Sequence, residues 1–335
     1  MSPRTLLAAP VAVVLLALLP AAAAADGLPA VGIDARPLSL PGGHVAYMTK
    51  SGKQSTRVIA RSLEGRLLSQ RRIDGTFSLP AVAYDGSPSG LSADSRTLIL
   101  ISPRTRYPRK RTTFAVVDAQ QLTVRRRISL KGDFSFDAIS PNARTMYLIK
   151  YNPREIGEYT VRAYDMRSGR LLRRPVVDPR KPDWEMYGVP VTRTSSPDGQ
   201  WAYTLYDSAK HPFVHALDTK HRTAVCIDLD RGRTLWGATL GLNGPSLDVT
   251  GRRGRLLARI DTRTHEVVMQ VPARTKAAAP SDRSAATPGT SSGGDDDAGT
   301  SWLPLALPTA ALLLLAALGR RVVLKRRGAE SISGA

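Results

Sequence analysis

Few side chains in this sequence could do chemistry. The only cysteine is Cys226, and the five histidines are His44, His211, His215, His221 and His265. His211 and His215 are four apart, a spacing that puts two zinc ligands on one helix face. Pro212 and the β-rich residues around it oppose that helix. Cys226 follows Ala224-Val225 in a strand-like run and reads as a small core residue. There is no Gly-x-Ser-x-Gly elbow, no phosphate loop and no dinucleotide fingerprint, so neither metal nor cofactor is expected. Carboxylates remain. Glycoside hydrolysis requires two at a suitable separation, and Asp34, Asp137 and Glu185 are candidates by position. Trp184, Tyr187 and Trp201 could serve as sugar platforms, although Trp201 sits at a turn-to-strand junction where core packing competes for the ring.

Cations offer a second kind of chemistry. Arg104, Arg106, Arg109, Lys110 and Arg111 surround Tyr107 between two predicted strands, where a long basic loop could meet phosphates or carboxylates. The competing reading is a solvated loop. Nucleic acid is not expected as a partner, because one tyrosine supplies no stacking platform. A third set, Arg36, Ser89, Asp137 and Arg193, is defined only by repeat position, so the elements that place it come next.

From Asp26 to Thr275 short β-rich runs alternate with turn signals, as in Thr97–Ile101, Phe114–Val117 and Trp201–Tyr206, and no helical period is sustained. The domain reads as all-β. A serine that closes one strand ahead of a tight turn recurs at Ser39, Ser92, Ser140 and Ser196, most clearly in Ser196-Pro197-Asp198-Gly199. A polar residue ends a later apolar strand at Ser62, Asp118, Asp165 and Asp218, which lie 23, 26, 25 and 22 residues downstream. A fifth unit, about Leu235 to Val271, shows the second marker at Asp261 and no clear first one. Units of about 50 residues with four strands each predict a β-propeller of five or six four-stranded blades.

Arg36, Ser89, Asp137 and Arg193 each lie three residues before a marker serine. If those serines close the innermost strands, the four residues share one ring at the central channel. They would form either an anion site or a structural ion network, and a one-residue error in register would turn them away.

The Ser-Pro-Asp-Gly turns, together with Phe134–Ser140 and Pro212–Asp218, resemble the YVTN-like repeats of actinobacterial secreted, membrane-anchored β-propeller proteins. The resemblance covers nearly all of residues 31 to 272. It implies fold and address and carries no activity with it.

The address is legible on its own terms. Residues 1–25 read as a signal peptide: Arg4, an apolar run from Leu6 to Leu19, and Ala23-Ala24-Ala25 before Asp26. Residues 276–301 are rich in Ala, Pro, Ser, Gly and Asp and predict a flexible stalk of about 25–30 Å root-mean-square span. Residues 302–319 are an apolar run of 18 residues, roughly 27 Å as a helix, which suits a transmembrane span. The basic tail 320–335 places its end in the cytoplasm. The expectation is a single-pass type I protein of the cell membrane with residues 26–275 extracellular.

Of 48 Lys plus Arg and 28 Asp plus Glu in the chain, 40 and 23 fall in residues 26–275, a net +17. That charge suits anionic envelope polymers or lipid headgroups, and it also suits the arginine drift of a GC-rich genome. The expected role is a non-enzymatic binding or scaffold module for such a polymer or for a protein partner. The alternative is an envelope glycoside hydrolase that uses channel carboxylates.

Overall fold

A computed structural model describes residues 36–152, 154, 158–183, 186–208, 211–229 and 235–270. They form five antiparallel sheets in chain order, each a simple meander. Sheet 1 is β1 (Val45–Ser51), β2 (Ser55–Ser62) and β3 (Leu67–Asp74), and sheet 2 is β4 (Thr97–Ile101), β5 (Arg111–Asp118) and β6 (Val124–Lys131). Sheet 3 is β7 (Phe134–Ile139), β8 (Thr145–Tyr151), β9 (Glu158–Asp165) and β10 (Arg170–Val176), with the short β11 (Met186–Tyr187) also on β9. Sheet 4 is β12 (Val189–Ser195), β13 (Trp201–Asp207), β14 (Phe213–Asp218) and β15 (Thr223–Asp228). Sheet 5 is β16 (Thr239–Asn243), β17 (Ser246–Thr250), β18 (Leu256–Asp261) and β19 (Val267–Gln270).

Consecutive sheets bury their faces on each other, which is how propeller blades are stabilised. In β4, Leu98 and Leu100 pack toward sheet 1 with Val58 and Ala60, whereas Ile99 and Ile101 pack toward sheet 3 with Phe136 and Leu148. Tyr147 and Tyr159 of sheet 3 meet Tyr206 and Phe213 of sheet 4, and Tyr203 and Val214 continue to Leu247 and Ile260 of sheet 5. Among the described residues no apolar cluster joins sheet 5 to sheet 1.

The repeated markers are hydrogen-bonded turns. Ser140 and Ser196 each accept from the backbone N–H five residues on at 2.9 Å, and Ser92 does the same at 3.0 Å. The carboxylates of Asp118, Asp165, Asp218 and Asp261 each accept the N–H groups two and three residues ahead, at 2.7–2.9 Å. The carbonyl of each then accepts from the residue four ahead, which is left-handed: Leu122, Gly169, Arg222 and His265. Only one of these is glycine, because the local hydrogen bonds impose the conformation on the others. The fifth unit keeps its Asp261 turn but makes its first hairpin from Gly244-Pro245, which is why its serine marker is missing.

Sheets 1 and 2 have three strands rather than the predicted four. Their innermost positions shrink to the bridges Leu38–Tyr47 and Leu91–Leu98. Pro37, Pro41, Pro80 and Pro88 interrupt these segments, and proline cannot donate to a ladder. Gly90 holds what pairing remains. Its carbonyl accepts from Ile99 at 2.8 Å, its φ is +114°, and an added Cβ would lie 2.7 Å from the Ile99 carbonyl oxygen.

The segment freed between β3 and β4 crosses to sheet 4. Tyr84 N–H donates to the Pro190 carbonyl at 2.9 Å and Asp85 N–H to that of Val191 at 3.1 Å. The Thr192 hydroxyl donates to the Asp85 carboxylate at 2.8 Å. The Tyr84 ring lies 5.3 Å from Trp236.

Candidate functional site

The segments that precede β1 and β4, together with the ends of β7 and β12 and the turn after β12, surround a cavity of about 300 Å³. Its wall includes Ser39, Ser89, Ala138, Arg193 and Ser196. It is rich in hydroxyls and prolines, and its one charged lining side chain, Arg193, is already engaged.

Asp137 is the extra residue of a β-bulge, since Phe136 pairs with Leu148 and Ala138 with Tyr147. A bulge re-aims its side chain. Here it aims Asp137 at sheet 4, where a second bulge, between Pro190 and Thr192, precedes Arg193. Arg193 Nη2 bonds Asp137 Oδ1, Nη1 donates to the Asp137 carbonyl at 2.9 Å, and Nε donates to Thr204 Oγ1 at 2.6 Å. Both charged side chains are buried, at 4% and 3% exposure. Asp137 Oδ2 has no hydrogen-bond partner among the described residues.

Behind this pair lies a polar row that the repeat pattern did not reveal. Arg193, Thr204, His215 and Cys226 stand opposite one another across β12, β13, β14 and β15. Apolar residues of the sheet 3–sheet 4 interface flank the row, with Ala202 and Leu217 on one side and Tyr206 and Phe213 on the other. Burial drives the His215 pKa down to about 4, so the ring is neutral near pH 7. At the outer end the Asp178 carboxylate accepts the Cys226 N–H at 2.9 Å and pairs with Arg180. Burial opposes ionisation of Asp178, but the Arg180 and Cys226 bonds hold its pKa at about 2. The Cys226 thiol is buried and pushed up to about 12, which suits the core role read from sequence and makes it a poor nucleophile. The signal for this row was the alternation of strands in sheet 4. It was hidden because threonine and cysteine are ordinary strand residues.

Of the predicted ring, Asp137 and Arg193 come together and Ser89 joins Arg193 in the cavity wall. Arg36 does not line the cavity. It is exposed and lies across Gly86, with its Nε 3.4 Å from where a Cβ would stand.

The basic loop differs from the expectation. Arg104 and Arg109, read as exposed ligand-binding cations, are turned inward onto Asp133, which lies in the turn after β6. Arg104 donates to Asp133 Oδ1 from Nε at 3.0 Å and from Nη2 at 2.8 Å, and its guanidinium sits 4.8 Å over the Tyr151 ring. Arg109 N–H donates to Asp133 Oδ2 at 3.0 Å and its Nη1 to the Ser102 carbonyl at 2.7 Å. Desolvating a guanidinium is favourable only with such partners, and Asp133 provides them for both. Arg106, Lys110 and Arg111 stay exposed, and Tyr107 packs edge-on to Tyr151.

The remaining candidates are dispersed. His215 is buried in the sheet 4 row, whereas His211 precedes β14, and among the described residues no cluster of His, Cys, Asp or Glu could hold a metal. Trp201 is packed against His265, ring centroids 4.3 Å apart, and Tyr187 is exposed. Asp34, Trp184, Glu185 and the segments 1–25, 276–301, 302–319 and 320–335 lie outside the described residues. Among the described residues, no helix is long and apolar enough to cross a membrane.

Surface cations are unevenly spread. The outer strands of sheets 1 to 3 expose Arg71 and Arg72 on β3, Arg125, Arg127 and Lys131 on β6, and Arg170, Arg173 and Arg174 on β10. The outer strands of sheets 4 and 5, β15 and β19, carry no lysine or arginine. Of the eight cations, only Arg125 has an acidic partner within ion-pair distance among the described residues, Asp118.

No protein-family model matches the chain, and no curated protein matches it. Among solved structures it is similar to Kuenenia stuttgartiensis hydrazine synthase, at 15% identity over 67% of this chain and 63% of that one, with a TM-score of 0.43. It is also similar to the Dos1 propeller, at 11% identity over 71% and 58% with a TM-score of 0.42. A third is the Cps50 (Swd1) β-propeller domain of Myceliophteria thermophila, at 12% identity over 69% and 65% with a TM-score of 0.40. The chain spans less than two thirds of each of these chains. The propeller reading here rests on the stacked meander sheets themselves.

Proposed function

We propose that the protein is a non-enzymatic binding module, a five-bladed propeller held at the cell membrane by residues 302–319 with residues 26–275 outside, and that its basic outer strands engage an anionic envelope polymer. The observation that carries this reading is the concentration of exposed cations on β3, β6 and β10, seven of the eight without an acidic partner among the described residues. Cations on an edge strand also discourage pairing with other chains. That role would apply equally to β15 and β19, which have none. Asp137, one of the three carboxylates named for a channel hydrolase, is committed to Arg193 and buried.

The test is binding of the full chain in nanodiscs to a poly(glycerol phosphate) polymer, compared with heparin and DNA, at low and physiological salt. Binding of the first that persists at physiological salt, and is lost in the Arg173→Glu/Arg174→Glu variant, supports the reading. Equal binding of all three that disappears with salt rejects it, because generic counterion release would then account for everything.

A further inference from the structure

The hairpin between β2 and β3 exposes both leucines and arginines to solvent. Residues 63 to 72 are all exposed, although 67 to 72 belong to a strand. An edge strand on a packed sheet normally covers one face. Here three leucines are uncovered, Leu63 at 57%, Leu67 at 47% and Leu68 at 43%. They fall within six residues of one another, so this is a patch rather than the scatter expected of single surface apolar groups. The geometry is local and defined. Ala60 pairs with Ser69 and Arg61 with Leu67, which leaves Leu68 as a bulged residue, and Gly65 N–H donates to the Ser62 carbonyl at 2.9 Å to close the turn.

Farther along the same strands, four residues from Leu68 on β3, runs a row of like charges. Lys50 on β1 stands opposite Arg57 on β2, which stands opposite Arg72 on β3, and all three are exposed. No acidic residue lies within ion-pair distance of any of them among the described residues. Like charges directly opposite each other in a sheet are destabilising. A soluble polyanion would relieve this row and leave the leucines in water. An apolar protein groove would cover the leucines and leave the cations facing one another. The surface of an anionic bilayer relieves both, with leucines at the acyl boundary and guanidinium groups at the phosphates.

We infer that the β2–β3 hairpin is a membrane-contact element that inserts Leu63, Leu67 and Leu68 into the headgroup region of an anionic bilayer, with Arg71 and Arg72 on lipid phosphates and the polymer left to the cations of β6 and β10. A bilayer is at hand if residues 302–319 anchor the chain, and the inference rests on that part of the proposed function.

The experiment uses the full chain in vesicles of phosphatidylcholine alone or mixed with phosphatidylglycerol. Cys226 is buried, so an environment-sensitive fluorophore can be directed to Leu67→Cys, with Leu63→Cys as a second position and Ala311→Cys reporting on the anchor. The expected result is a blue shift at 67 and 63, with quenching by bromine-labelled lipid chains, in the mixed vesicles only. Arg71→Gln/Arg72→Gln should weaken the hairpin's lipid partitioning about 30-fold, the effect of two surface charges. A label at 67 and 63 that stays in water in mixed vesicles overturns the inference, and quenching at 311 in the same sample shows that the anchor still stands. Quenching at 67 without quenching at 311 keeps the hairpin and removes the anchor. A blue shift that forms without vesicles as protein concentration rises assigns the patch to a second copy and also overturns it.

Discussion

Replacing Arg193 with methionine leaves Asp137 charged, buried and facing an apolar side chain. Both members of the pair are almost fully enclosed, at 4% and 3% exposure, so solvent cannot take over the lost interaction. Breaking such a pair from one side costs about 3–5 kcal/mol, chiefly the penalty of the orphaned charge. Thr204 Oγ1 also loses its 2.6 Å donor. For a domain of this size that corresponds to a fall in melting temperature of about 6–20 °C. Urea unfolding of the full chain in detergent, followed by tryptophan fluorescence, gives the free energy directly. Asp137→Leu combined with Arg193→Met removes both charges and should return to within about 2 kcal/mol of the parent, because a well-packed apolar pair replaces a buried ionic one at little cost. The cycle then isolates a coupling of about 2 kcal/mol or more. If Arg193→Met alone unfolds within about 1 kcal/mol of the parent, the pair is not structural, and the reasoning that fills the channel with an ion network fails.

Three further outcomes are expected. Asp133→Ala removes the carboxylate that two buried guanidinium groups share and should destabilise by about 3–5 kcal/mol, whereas Arg106→Ala in the same loop should stay within about 0.5 kcal/mol; urea midpoints compare them. Gly90→Ala should cost about 2 kcal/mol or more in thermal unfolding, because its Cβ would meet a backbone oxygen at 2.7 Å and φ is +114°. Stability should fall on acidification in two stages. His215 is held at about 4, below its unfolded value of about 6.5, so the unfolded chain binds the extra proton first and stability drops as pH falls from about 6.5 to 4. Backbone N–H bonds from the turns hold Asp118, Asp165 and Asp261 below the usual carboxylate range, and Asp178 lies at about 2, so a second loss follows below about pH 4. His215→Phe should reduce the first stage, to which His265, also held below its ordinary value by burial, contributes, and leave the second, as read by unfolding free energies across pH.

The repeat was visible in sequence because its markers are local. A serine or aspartate that bonds N–H groups two to five residues away leaves a fixed spacing, and the turns at Ser140, Ser196, Asp165 and Asp218 follow it. The same spacing aligned Asp137 with Arg193, since both precede such a serine by three. What lay beyond reach was set across sheets. Asp133 is 29 residues from Arg104 and lies in the turn after β6, so nothing near the basic loop announced that two of its arginines would be buried. The Thr204–His215–Cys226 row depends on register between strands, and a pattern of single residues does not fix register. The missing inner strands of sheets 1 and 2 were foreshadowed by Pro37, Pro41, Pro80 and Pro88, whose effect on a ladder is local but was outweighed by the expectation of equal units.

The crossing from Tyr84–Asp85 to Pro190–Thr192 alters how the molecule comes apart. In a linear array each unit touches only its neighbours, so stability is a sum of local contributions and the ends can open one at a time. The bond between Asp85 and Thr192 spans 107 positions of chain and encloses the whole of sheets 2 and 3. Sheet 3 cannot detach without breaking its contacts with both neighbours, and the link ties sheet 4 to the segment ahead of sheet 2, so sheets 2, 3 and 4 are expected to unfold together while sheets 1 and 5 fray first, an order that hydrogen exchange would read. Closing so large a loop is entropically costly, which makes the block slow to assemble.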